Sequence, residues 1–273
     1  MTRIAVIQYP GSNCEHETAR ALRAAGAAAE LFRWNADPAA LAGFDGYVIP
    51  GGFSYQDRVR AGAIAAKKPV MREVMRQAEG GKPVLGICNG AQVLVETGMI
   101  PGNRWGEVQM ALAPNVMEER SGFWCDWAHL LLLGEPADCA LTLKLSRGEV
   151  LPVPVAHGEG RFMTAEEGLV EELARGGQVV FAYAAPDGGV AERFPENPNG
   201  SVLSAAAIRN PQGNVMAIMP HPERVSWLYQ VPDDLGDAYS KAAVAARGAS
   251  AALEGPGPGR RIFESMIAFI EGR

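Results

Sequence analysis

The chain has 273 residues, 48% of them hydrophobic, enough apolar material to bury the core of one large α/β domain. A formal charge of −6, with no basic cluster and no basic–aromatic interleaving, excludes the electrostatic footprint of a nucleic-acid backbone binder. Arg3 to Gln8 begins as a strand with no charged leader or apolar signal core before it, and no apolar run could span a bilayer, so a soluble cytoplasmic protein is expected.

In chain order, strand and helix signals alternate, which predicts an α/β fold with a mostly parallel central sheet covered by helices. The first strand ends near Gln8. Glu15 to Ala25 follows as a helix stopped by Gly26, then Ala29 to Arg33 and Gly46 to Ile49 read as strands. Arg58 to Glu79 is expected to be largely helical, interrupted at Pro69 and ended by Gly80-Gly81. Pro83 to Ile87 is the next strand, and a helix from Ala91 to about Gly98 follows it. Leu130 to Leu133 and Ala140 to Leu145 suggest antiparallel strands added at a sheet edge. Gln178 to Ala184, Ser204 to Arg209 and Val215 to Met219 are further strands. Near the end, Ala238 to Ala252 favours helix, Gly255-Pro256-Gly257-Pro258-Gly259 breaks it, and Arg261 to Ile270 reads as a final amphipathic helix. No internal repeat is visible. One domain over residues 1–273 is expected, with a helical insertion at about 230–257 that has no assigned chemical role.

Chemistry concentrates at Gly86-Ile87-Cys88-Asn89-Gly90, directly after a strand-like run. A nucleophile flanked by glycines at a strand-to-helix turn is the elbow of acyl-transfer enzymes; the glycines remove side chains that would collide with the neighbouring strand and helix. The following helix aims its N-terminal N–H groups at the Cys88 sulfur and favours thiolate. A buried structural cysteine in a glycine-containing turn would show the same local pattern. Cys14, Cys88, Cys125 and Cys139 have neither CxxC nor metal-ligand spacing, so no metal site is expected and a reducing compartment fits.

A thiolate acting on a carbonyl needs a base and a group that orients it. His221 opens His221-Pro222-Glu223 after a strand, and Pro222 biases His221 towards an extended backbone. In an extended chain residues two apart point the same way, so Glu223 can hold one ring nitrogen while the other faces Cys88. A rigid surface loop with a solvated acid is the plainer alternative. His16 and His129 carry no argument.

These segments, with Pro10 to Cys14, Pro50 to Tyr55, Arg60 to Ala65, Ala156 to Phe162, Asn197 to Ser201 and Met219 to Arg224, make the chain resemble a class I glutamine amidotransferase with a flavodoxin-like sheet. The Pro50, Ala156 and Asn197 segments resemble in particular the glutaminase subunit of phosphoribosylformylglycinamidine synthase, which serves de novo purine synthesis. Two positions depart from that pattern: Gln56 stands where the family usually has glycine, and Ala91 where it commonly has phenylalanine. Amidotransferases serving other pathways are the nearer competing reading, and a cysteine peptidase or redox-sensing protein of the same fold is the more distant one.

The resemblance implies a reaction in which L-glutamine is hydrolysed to glutamate and ammonia through a Cys88 thioester, with His221 as base and Glu223 holding it. The backbone N–H groups of Gly52 and Asn89 are then the oxyanion donors. Gln92 and the His157-Gly158-Glu159 loop hold the ends of the substrate. A search for GxxxxGK[ST], GxGxxG and HExxH finds none, so no cofactor is expected on this chain. ATP and Mg²⁺ would belong to a large synthetase subunit, often accompanied by a small third subunit, which takes up the ammonia to convert formylglycinamide ribonucleotide to its amidine.

Overall fold

The computed structural model describes residues 1–118 and 120–272. The chain enters through β1 (Arg3–Gln8), whose Ile4 to Ile7 are fully buried, as expected of a strand covered on both faces. α1 (Glu15–Ala24) and β2 (Ala28–Arg33) follow, then β3 (Gly46–Ile49), α2 (Ala63–Ala66), α3 (Pro69–Glu79), β4 (Val84–Ile87) and α4 (Asn89–Thr97). Next come β5 (Ala111–Ala113), β6 (Trp124–Leu132), β7 (Val150–His157), β8 (Arg161–Met163), α5 (Leu169–Arg175), β9 (Val179–Ala184), β10 (Ala205–Arg209) and β11 (Val215–Ile218). α6 (Ala238–Ala245), α7 (Ser250–Leu253) and α8 (Arg260–Glu271) complete the order.

Nine strands form one sheet in the order β2-β1-β3-β4-β11-β10-β9-β6-β7, and β5 pairs with β8 in a small antiparallel sheet. From β2 to β11 every pairing is parallel; from β11 outward to β7 every pairing is antiparallel. This is the α/β architecture with an added antiparallel region that the sequence predicts. Because side chains alternate along a strand, Gly86, which meets Leu94 of α4, and Gly46, which meets Met266 and Ile270 of α8, lie on opposite faces of the sheet. Helices therefore cover both sides.

The chain runs β1, β2, then crosses to place β3 on the other side of β1, and loops at the carboxyl ends of parallel strands diverge at such a reversal to leave a crevice. The segments after β1, β3, β4 and β11 all open at that end, and they carry Cys14, Gly51-Gly52, Cys88 and His221.

Several boundaries differ from the sequence reading. Ala140 to Leu145 is no strand but a series of tight turns, with Thr142 N–H on Cys139 O at 3.1 Å and Leu145 N–H on Thr142 O at 2.8 Å; its apolar side chains are buried without period-2 alternation. Helix in the 58–79 stretch starts only at Ala63, since Val59 and Gly62 have φ of 74° and 77°. The Ala238 to Ala252 helix is split into α6 and α7, and the helix after the elbow starts at Asn89 rather than Ala91. β7 escapes sequence reading because Pro152 and Pro154 interrupt it; it is an edge strand, paired only with β6, where a missing N–H costs least.

The 230–257 stretch is a closed excursion. Its neck is an antiparallel bridge between Trp227 and Pro256, with Leu228 N–H on Gly255 O at 3.0 Å. Asp237 caps α6 through Ser240 N–H at 2.8 Å and meets His129 Nε2 of β6 at 3.1 Å, which ties the excursion to the sheet.

Candidate active site

β4 delivers Cys88 into a turn that only this glycine pattern permits. Cys88 has φ 51° and ψ −107°, a strained conformation for a residue with a side chain. A Cβ on Gly90 would stand 1.9 Å from Ile49 O, and one on Gly86 would stand 2.6 Å from Gly90 O. The two glycines thus let α4 start against β3 and β4. Cys88 N–H bonds Ile218 O at 2.8 Å, which locks the elbow to the end of β11, the strand that leads to His221. All nine residues of α4 are buried, so the helix is a fixed internal post.

His221 and Glu223 are joined at 2.6 Å through Nδ1 and Oε1, with side chains 2% and 0% exposed. The geometry that achieves this differs from the extended chain expected: Pro222 to Val225 is a single 3₁₀ turn with His221 just before it. Burial alone would lower the His221 pKa, but the neighbouring Glu223 carboxylate and the Cys88 and Cys14 sulfurs outweigh it and hold the ring well above its ordinary value. The backbone also clamps this segment, with His221 N–H on Pro154 O at 2.8 Å.

Gly51 explains how close the groups come. A Cβ there would lie 2.9 Å from His221 Cε1, 3.1 Å from Cys14 Sγ and 3.5 Å from Cys88 Cβ. The two sulfur-bearing side chains and the imidazole therefore meet across a bare backbone. Cys14 accepts a hydrogen bond from Arg224 Nη2 at 3.1 Å, and Arg224 Nε donates to Glu17 at 3.0 Å. Cys14 Sγ, a His221 ring nitrogen and a Glu223 oxygen lie within 4.8 Å of one another, a donor set that could hold a soft divalent cation. A cation there would have to displace the His221–Glu223 bond and the Arg224 contact to Cys14.

The expected oxyanion donors, Gly52 and Asn89, lie just past the end of β3 and directly after Cys88. Gly52, at φ 142°, faces the cleft, and its Cβ position would be filled by Asn13 N and Gly11 O, both at 2.7 Å. Asn89 opens α4, where first-turn N–H groups have no intrahelical acceptor. Neither N–H has a backbone partner among the described residues.

A cleft of about 410 Å³ gathers these groups. Cys88, His221, Gly52, Gln92 and the His157-Gly158-Glu159 loop all line it, Glu223 is bonded to His221 and Asn89 follows Cys88, so the structure brings the sequence-predicted site residues together. His157 ends β7 and is buried. Asn115 Oδ1 accepts from Gly160 N–H and faces His157 Nδ1, both at 3.1 Å, so Nδ1 carries the proton and Nε2 is left a lone pair. Burial, then the nearby His221 charge, push the His157 pKa down to about 3, and the ring is neutral.

Gln92 is more committed than its role in the sequence reading suggests. Its Oε1 accepts from Asn89 Nδ2 at 2.9 Å and its Nε2 donates to Glu159 O at 2.8 Å, leaving one N–H for a ligand. Residues that the sequence did not single out also enter the cleft: Asp57, Phe53, Phe123 and Cys125 line it, and Cys14 touches the triad from behind. Phe53 and Cys14 left a signal, inside the Pro50 to Tyr55 and Pro10 to Cys14 segments, but without a role attached to either. Asp57 sits in a run of residues with positive φ (Tyr55, Gln56, Asp57 and Val59) that no residue type in it announces.

Known proteins resemble this chain over nearly its whole length. Residues 1–270 match the family described as the CobB/CobQ-like glutamine amidotransferase domain. The chain is similar to the phosphoribosylformylglycinamidine synthase subunit PurQ of Methanothrix thermoacetophila, with 47% identity over 99% of each chain. It is similar also to that of Pyrococcus furiosus, with 41% identity over 86% of this chain and 94% of the relative. Among solved structures, a chain of PurLQS from Thermotoga maritima superposes with a TM-score of 0.70 at 29% identity, covering 98% of both chains.

Proposed function

Because this chain belongs to the family of CobB/CobQ-like glutamine amidotransferase domains and, within it, to the PurQ subunits of phosphoribosylformylglycinamidine synthase, we propose that the elbow and its buried imidazole–carboxylate pair hydrolyse L-glutamine to supply ammonia for purine synthesis. The observation that carries this reading is the buried 2.6 Å His221–Glu223 bond in the same cleft as the strained Cys88.

The Cys88 thiolate attacks the side-chain amide carbon, and the carbonyl electron pair moves to oxygen, where the Gly52 and Asn89 N–H groups receive it. Collapse of this intermediate breaks the C–N bond as the His221 imidazolium gives its proton to nitrogen, so ammonia leaves and a thioester remains. Water then attacks the thioester, His221 takes its proton, and the C–S bond breaks to release glutamate and restore the thiolate. Glu223 fixes the ring tautomer and stabilises the imidazolium.

Ammonia lost to water is protonated and no longer nucleophilic, which favours delivery to a docked subunit. Phe53 and Phe123, 48% and 56% exposed where the cleft opens, are apolar surface that such a subunit would cover. We assign that place to a large synthetase subunit of the PurL kind, which carries the ATP and Mg²⁺ chemistry, with a small PurS-like third subunit completing the complex. No described helix is long and apolar enough to cross a membrane, which is in keeping with a cytoplasmic enzyme. In the assembled complex, Cys88→Ala is expected to abolish turnover with glutamine while turnover with ammonium salts persists. Loss of both activities would give Cys88 a structural role and refute the assignment.

A further inference from the structure

We propose that Asp57, with Glu159 across the cleft, receives the α-ammonium of L-glutamine and so makes the site select an α-amino acid rather than any primary amide. The inference rests on the glutaminase reading and adds a specificity-determining residue to it.

Both carboxylates line the cleft that holds Cys88, and neither has an ion-pair partner among the described residues. Arg58, the next residue, is exposed and pairs with neither acid among the described residues, and Arg60 is taken up by Glu96 through two bonds at 2.5 and 2.6 Å. Burial, and after it the Glu159 charge, push the Asp57 carboxyl up to about 6, and no cation offsets them. Two half-buried acids facing one another without a counterion form a place that a small cation stabilises. Arg224, which also lines the cleft, is occupied by Glu17 and Cys14 and forms no ion pair with either acid among the described residues.

Asp57 is held in register with the nucleophile. Ser54 N–H donates to Asn89 Oδ1 at 3.0 Å, which fixes the amide so that its Nδ2 donates to Asp57 Oδ1 at 3.0 Å and to Gln92 Oε1 at 2.9 Å. Gln92 Nε2 then reaches the Glu159 carbonyl at 2.8 Å. Asn89 directly follows Cys88, so this chain of amides sets both acids relative to the sulfur and leaves Asp57 Oδ2 and the Glu159 carboxylate uncommitted. An ammonium placed between them belongs to a substrate whose amide end reaches the elbow. A carboxylate at that place would be repelled, which orients the amino acid.

The test compares L-glutamine with glutaramate, the same amide without the amino group, in the reconstituted complex. The wild type should prefer glutamine. Asp57→Asn keeps the oxygen that Asn89 binds and removes the charge; it should lower kcat/KM for glutamine about 10- to 100-fold, chiefly through KM, as for a lost hydrogen bond to a charged group. Its kcat/KM for glutaramate should stay within about 3-fold, because no ammonium contact was there to lose. Glu159→Gln should narrow the preference in the same direction, and it carries the comparison if Asp57→Asn is misfolded, read as the loss of its cooperative thermal unfolding transition. An equal loss for both substrates, or an undiminished preference for glutamine, overturns the inference while leaving the glutaminase reading intact. A wild-type complex that uses ammonium but releases no glutamate from glutamine overturns both.

Discussion

Gly90→Ala is the substitution that most sharply probes whether the elbow is a packing solution. The added Cβ would lie 1.9 Å from Ile49 O, 2.7 Å from Ile49 C and 3.1 Å from Ile49 Cβ, whereas ordinary contact begins near 3.4 Å. The colliding atoms belong to the backbone of β3 and to a β-branched side chain, so no flexible group can swing aside. Either α4 or β3 must retreat by about 1.5 Å, the difference between those two distances. Both are fully buried, which puts the cost at the upper end of the overpacking range, about 3 kcal/mol. For a chain of this size that lowers Tm by roughly 6–12 °C. Cys88 lies two residues from the clash, and a displacement of about 1 Å at reacting groups costs on the order of 100-fold in rate. Thermal unfolding and glutamate release in the assembled complex read both effects. Gly134→Ala is the control, since a Cβ there meets only Asp138 Oδ2 at 4.0 Å and should change stability by less than about 0.5 kcal/mol. A Gly90→Ala protein with wild-type Tm and wild-type turnover would refute the reasoning.

Two further outcomes are expected. Gln56 has φ 60°, a region that glycine enters freely and other residues enter at a cost of about 1–2 kcal/mol, so Gln56→Gly should raise Tm by about 2 °C, measured by thermal unfolding; a fall would show that the side chain contributes more than the strain removes. The second concerns pH: with Asp57 titrating near 6, its carboxyl is protonated below that value and offers no charge to an ammonium, so KM for glutamine should fall as pH rises from 5 to 7. Cys88, His157, Glu159 and His221 share the cleft, and Asp57→Asn should remove this part of the KM profile while any contribution of theirs stays. A profile identical in the variant would exclude Asp57 as its source. The same raised pKa has a stability sign. Between the ordinary aspartate range and about 6 the native chain keeps a proton that the unfolded chain has released, so Asp57 makes stability fall as pH rises through that window.

How far the sequence can be read follows from which residues carry local information. The elbow was legible because glycine is informative where a Cβ cannot fit, and Gly86 and Gly90 mark the two closest backbone approaches around Cys88. The strands β1, β3, β4 and β11 were legible because burial on both faces demands continuous apolar runs. His221 and Glu223 were found as a pair, but through an extended backbone that the chain does not adopt there; a 3₁₀ turn after Pro222 serves the same contact. β7 was invisible because two prolines mask a strand that tolerates them only by lying at the edge. The roles of Asp57 and Cys14 escape the sequence for a different reason. Their surroundings come from segments far apart in sequence, Glu159 and Asn89 for the first, Arg224 and His221 for the second, and no local pattern encodes a contact assembled by the sheet order.

The central claim is that one sulfur of four is the nucleophile. Treating the assembled complex with a diazoketone analogue of glutamine and mapping the adduct by mass spectrometry tests it directly. A single adduct on the peptide carrying Cys88, blocked by excess glutamine and absent from the Cys88→Ser variant, is expected. Labelling confined to Cys14, Cys125 or Cys139, or equal labelling with and without glutamine, would contradict it.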